Sequence, residues 1–149
     1  LQFFNRYAMI YIGIDPDIES SGIACWDTET LEFDYIKNMS FWEIIEEFDL
    51  WNIQITVIIE AGWLHSKSNW HGKAYQSKSV GERIAKNVGS NHQIGILIAE
   101  YCEKYGMAYE LKKPLGKVKS DYFKKITGYT KRTNQDQRDA AMLVYGLKK

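Results

Sequence analysis

The sequence predicts an α/β fold: a five-stranded mixed central sheet flanked by helices, in the element order βββαβαβαα. Three observations predict it. Five short runs rich in Ile, Val, Tyr and Phe are interleaved with helix-like segments. The fourth run, Ile55-Thr-Val-Ile-Ile, is nearly continuous in apolar residues, as a strand covered on both faces should be. The first and fourth runs each end in an acid, Asp15 and Glu60, and strand C-terminal ends are where open sheets place ligands.

Each element has a local reason. Met9 to Asp15 reads as a buried strand that stops at Pro16, which has no N–H to continue the ladder. Gly22 to Asp27 is a second strand, Thr28-Glu-Thr a tight turn, and Leu31 to Lys37 a third strand with Leu31, Phe33 and Tyr35 on one face. Together they predict an antiparallel meander. Ser40 and Glu43 have capping-box spacing and open a helix through Phe48. After the Ile55–Glu60 strand, the polar stretch from His65 to Ser77 reads as a loop carrying Trp70 and Tyr75. A helix is expected from Ser79 to Lys104, with Ile94, Leu97, Ile98 and Tyr101 on one side and Gly106 closing it. Met107 to Leu111 is the fifth strand, ending before Pro114. Ser120 to Ile126 is a short helix stopped by Gly128, and Asn134 caps a last helix through Tyr145 with Ala140, Leu143 and Val144 on its apolar side.

At 149 residues, with no internal repeat or linker, a single domain over residues 9–149 is expected. Residues 1–8 precede Met9 and read as an added remnant or an upstream extension. Hydrophobic content of 45% and charged content of 26% argue against wholesale disorder. No apolar run approaches the roughly 20 residues of a membrane span. Cys25 and Cys102 are expected to be reduced, buried thiols, and the expected location is the cytoplasm of a bacterial or phage-infected cell.

Net charge is zero, but it is unevenly distributed. From Asp15 to Glu60 there are twelve acids and one basic residue, Lys37; from Lys112 to Arg132 there are eight basic residues and one acid, Asp121. Lys67, Lys73, Lys78, Arg83 and Lys86 add further positive charge between His65 and His92. An anionic half and a cationic half suit a protein that holds metal on one surface and phosphates on another.

Four carboxylates carry the chemistry. Asp15 and Glu60 emerge side by side if their strands are neighbours, and Asp136 and Asp139 share one face of the last helix, one turn apart. A lone aspartate after a strand more often caps a turn, and an acid pair at a helix start more often serves the helix dipole. Glu60 is harder to explain so, because a charge at the end of a buried strand needs a partner. Four such groups together cannot all ionise unaided, and oxygen-only ligands suit magnesium or manganese. Two such ions can activate a water and stabilise the leaving oxygen in phosphodiester hydrolysis. No zinc spacing links His65, His71 or His92 to the cysteines.

At these residues the chain resembles the RuvC-type Holliday junction resolvases of the ribonuclease H-like nuclease superfamily. The matching stretches are Ile12-Gly-Ile-Asp-Pro-Asp17 with Gly22, then Val57-Ile-Ile-Glu60, then Asp136-Gln-Arg-Asp139-Ala-Ala, in the family's order. The resemblance implies a ribonuclease H-like fold from Met9 onward, with Asp15, Glu60, Asp136 and Asp139 as the catalytic, metal-binding acids for two magnesium ions. It also implies a homodimer, since two symmetric cuts need two sites. The exposed apolar side of the Ser79–Lys104 helix is the candidate interface. In the family an aromatic three residues after the second acid stacks on bases at the crossover; Trp63 holds that place, and pinning the loop to the core is an equal reading of it. Lys113 and Lys119 look like the family's lysines between fifth strand and next helix, and Lys131 and Arg132 are further candidates for phosphate contacts. Asp17 replaces the family's usual glycine, the lysine-bearing connection is short, and the His65–Ser77 segment is expanded. These departures suggest a divergent member from a phage or mobile element. The expected activity is cleavage of branched DNA, above all a four-way junction. The rival readings are a nuclease for RNA, RNA–DNA hybrids or flaps, and a non-catalytic branched-DNA-binding module.

Overall fold

The computed structural model describes residues 9–51, 55–64 and 78–148, so the expectations for residues 1–8 and for His65–Ser77 lie outside the described residues. The strands are β1 (Ile10–Asp15), β2 (Ser21–Asp27), β3 (Glu32–Met39), β4 (Ile55–Glu60) and β5 (Ala108–Lys112). The helices are α1 (Phe41–Trp51), α2 (Lys78–Lys104), α3 (Ser120–Thr127) and α4 (Gln135–Val144), with a short 3-10 turn at Gly62–Leu64. This is the expected order of elements. The five strands form one sheet in the order β3-β2-β1-β4-β5. The meander β1–β2–β3 is antiparallel, while β4 and β5 run parallel to β1.

Strand alternation sends successive side chains to two different cores. On one face Ile12, Ile14, Ile23, Cys25, Val57 and Ile59 pack against Ile44 and Phe48 of α1 and Ile94, Ile98 and Cys102 of α2. On the other, Ala24, Trp26, Ile36 and Ile58 pack against Phe123 of α3 and Ala140, Ala141, Leu143 and Val144 of α4. Both cysteines are buried free thiols. Ile94 and Ile98 thus cover the protein's own sheet, whereas Leu97, placed beside them in the sequence reading, is 38% exposed. The helix is longer than one stripe of contacts, and a residue at the stripe's margin turns out to solvent.

The third strand departs from expectation. Leu31 sits in the turn, exposed, at φ 57°, and does not pair. Cys25 lies opposite Tyr35 but Trp26 lies opposite Phe33, so Asp34 is an extra, unpaired residue. This β-bulge breaks the period of two. Phe33 therefore joins the α4-side core and Tyr35 the α1/α2-side core, not one common face.

Helix α4 comes unusually close to the sheet. A Cβ on Gly13 would collide with the Ala140 carbonyl, and one on Gly22 with the Asp136 carbonyl. These two positions therefore require glycine, and they let backbone rest on backbone. The N-terminus of α4 is fixed by a full capping box: the Asn134 side chain accepts from the Gln137 N–H at 2.9 Å, and the Gln137 side chain accepts from the Asn134 N–H at 3.1 Å. Asn38 Oδ1 accepts from both Asn134 and Gln137 side chains at 2.8 Å, tying the end of β3 to the same cap. At the other end, Lys112 Nζ of β5 donates to the Leu143 carbonyl at 3.3 Å, a cation at a helix C-terminus.

Candidate metal centre

On β1, Tyr11 packs in the α4-side core and Gly13 lies under α4, so alternation aims Asp15 to that side. On β4 the same holds for Ile58 and hence for Glu60. Ile14 pairs with Ile59 in the parallel ladder, which brings the next residues, Asp15 and Glu60, side by side at the rim. Their side chains are hydrogen-bonded to each other. Helix α4, seated on Gly13 and Gly22, supplies Asp139. Asp15, Glu60 and Asp139 each present an oxygen, and these oxygens lie within 4.8 Å of one another.

The electrostatics of this group are unfavourable as it stands. Burial raises the Asp15 pKa far above the usual carboxylate range; its hydrogen bond to Glu60 and the charges of Glu60, Asp136 and Asp139 push in the same direction. Asp15 is thus held protonated beside Glu60. Asp136 is half-buried and its pKa is also raised, by burial first and then by the charges of Asp17, Asp139 and Glu60, with Lys117 opposing. It adds to the negative field without joining the three convergent oxygens. Asp17 turns its carboxylate back on its own loop: Oδ1 accepts from the Glu19 N–H at 2.8 Å and the Ser20 N–H at 3.3 Å.

Among the described residues one cation reaches the acids, and the sequence reading missed it. Lys117 Nζ lies 3.0 Å from Asp139 Oδ2. The other Asp139 oxygen accepts from Gln135 Nε2 at 2.7 Å. The backbone beside Lys117 is anchored by Arg138, whose buried guanidinium donates to the Val118 carbonyl at 2.9 Å and the Thr133 carbonyl at 2.8 Å, and to Gln135 Oε1 at 3.1 Å. Lys113, Lys119, Lys131 and Arg132 are exposed and do not line the hollow over the acids. Only position in space distinguishes Lys117 from its neighbours; no spacing rule in the chain marks it.

That hollow, about 250 Å³, is lined by Asp15, Glu60 and Lys117 together with Pro16, Trp63 and His92. Trp63 is half-buried. Its ring lies so close to Gly95 of α2 that a Cβ there would press on it, and it meets the His92 ring edge-on at 5.9 Å. The indole therefore wedges the 3-10 turn against α2, the pinning role weighed above, while an edge still borders the hollow. Burial also lowers the His92 pKa, favouring the neutral ring.

The donor set fits a hard divalent cation. Three carboxylates converge, one of them strongly desolvated, and no soft ligand is among them.

No family model matches the chain, and no curated protein does either. Solved structures do. A structure of T. thermophilus RuvC in complex with Holliday junction substrate superposes with a TM-score of 0.56 at 14% identity, covering 91% of this chain and 89% of that one. The fowlpox virus Holliday junction resolvase gives 0.50 at 16% identity, covering 90% and 93%. At such low identity these likenesses establish the fold: it is the ribonuclease H-like fold of the resolvases, an α/β architecture with a five-stranded mixed sheet.

Proposed function

We propose that the chain is a metal-dependent endonuclease that hydrolyses phosphodiesters in branched DNA, a four-way junction above all, with magnesium as its ion and manganese as substitute. One observation carries the reading: on a resolvase-like fold, acids 45 and 79 residues apart in sequence bring their oxygens within 4.8 Å of each other, around a half-buried Asp15. Asp15, Glu60 and Asp139 would hold the metal, and Asp136 would complete the negative environment. Bound divalent ions supply Lewis-acid activation of water and neutralise charge developing on the phosphate.

The chain's own residues supply the rest. Trp63 and Pro16 wall the site, and a carboxylate of the cluster would accept the proton lost by the attacking water. Lys113, Lys119, Lys131 and Arg132, all exposed, are assigned to the DNA backbone. A homodimer, with one site per cut strand, follows from the same reading, as does a cytoplasmic location. No helix among the described residues is long and apolar enough to cross a membrane.

The test is a synthetic four-way junction with magnesium, cut by the parent protein and by Asp15→Ala and Glu60→Ala. Both variants should bind the junction and leave it intact. Full cleavage by both would overturn the assignment. Linear duplex, RNA–DNA hybrid and single strands in the same gel distinguish a resolvase from a nuclease with another substrate.

A further inference from the structure

We infer that the Lys117 ammonium is the resident counter-ion of the acidic cluster, and that a divalent ion entering the site must displace it. This rests on the metal-centre reading above and adds a competitor to it.

The geometry is specific. Asp139 is fixed: its side chain is 9% exposed and Gln135 holds one oxygen. Its remaining oxygen, Oδ2, is the one Lys117 occupies. An ion gathering Asp15, Glu60 and Asp139 therefore meets an ammonium already on one of its three ligands, and two cations so close repel. Lys117 is the partner able to move. Its side chain is 72% exposed and flexible, whereas the backbone next to it is held at the Val118 carbonyl by Arg138. It can swing off Asp139 without leaving the rim.

The consequence is an exchange of cations. Without metal, Lys117 offsets part of the carboxylate repulsion. With metal, its ammonium is released beside the site, free to meet an anionic oxygen of a phosphate. By linkage, whatever anion engages Lys117 favours metal uptake, and metal favours the anion.

Calorimetric titration with Mn2+ alone tests this, using the parent, Lys117→Met, Lys117→Arg and Lys125→Met. Lys117→Met should bind Mn2+ tighter by about two- to fivefold, the range expected from losing one partly exposed ion pair. Lys117→Arg should stay near the parent, and Lys125→Met, which removes an exposed charge on α3, should not change affinity. Equal or weaker binding by Lys117→Met, with Mn2+ uptake intact in the parent, overturns the counter-ion role and leaves the nuclease reading standing. An equal gain in Lys125→Met would assign the effect to net charge and also overturn it. No uptake by any of the four proteins brings down both.

Discussion

The two faces of the sheet are packed by opposite means. Against α1 and α2, large side chains interlock: Ile12, Ile14, Val57 and Ile59 meet Phe48, Ile94 and Ile98. Against α4, backbone meets backbone at Gly13 and Gly22, with Ala24 and Ala140 close by. The first face buries area, with each such side chain contributing about 1.5–3 kcal/mol, and it tolerates reshaping. The second fixes distance, because at those two glycines no side chain lies between strand and helix. Asp15 and Glu60 on one side and Asp139 on the other span that second contact. Stability and site geometry are thus largely assigned to different faces.

The sharpest way to break this division is Gly13→Ala. Its Cβ would force α4 off the sheet at Ala140, costing about 3 kcal/mol of stability by overpacking. Because Asp139 moves with the helix, Mn2+ affinity should fall by roughly tenfold or more even where circular dichroism shows a folded protein. Next comes Ile98→Ala on the opposite face, fully buried against the sheet. It should cost about 2–4 kcal/mol in urea denaturation. Mn2+ binding measured below the transition should remain within about twofold of the parent, set against the roughly tenfold loss above. A large loss of affinity in Ile98→Ala would abolish the distinction between the faces.

The smallest effect has the opposite sign. Asp15 keeps its proton in the folded, metal-free protein to a pH well above the unfolded value of about 4. The folded state therefore binds more protons than the unfolded one across that interval, and stability falls as pH rises through it. Metal-free protein should unfold at lower urea at pH 8 than at pH 5. Asp15→Asn should flatten this slope and stabilise the metal-free protein by about 1–2 kcal/mol at pH 8, at the expense of Mn2+ binding. An unchanged slope in Asp15→Asn would show that other carboxylates carry it.

Much of this was legible in the chain. The apolar runs ending in Asp15 and Glu60 announce both the strands and the rim they share, since a charge at a buried strand end has few other uses. Ser40–Glu43 and Asn134 mark their helix starts because capping is a local interaction. What stayed hidden is whatever depends on a third dimension. The bulge at Asp34 silently sends Phe33 and Tyr35 to opposite faces. Asp136 and Asp139 look alike on a helix, yet only Asp139 presents an oxygen to the other two acids. That Lys117 is the lysine of its short loop to meet an acid depends on where Arg138 anchors the loop.

The bulge at Asp34 has an effect on the protein's dealings with its own copies. Among the described residues, β3 is the outermost strand on its side of the sheet. A stranger strand zippering onto that edge would have to skip one residue and smother a carboxylate at mid-length. Cross-β stacking is therefore disfavoured along this edge, which favours contact through side chains over a sixth strand.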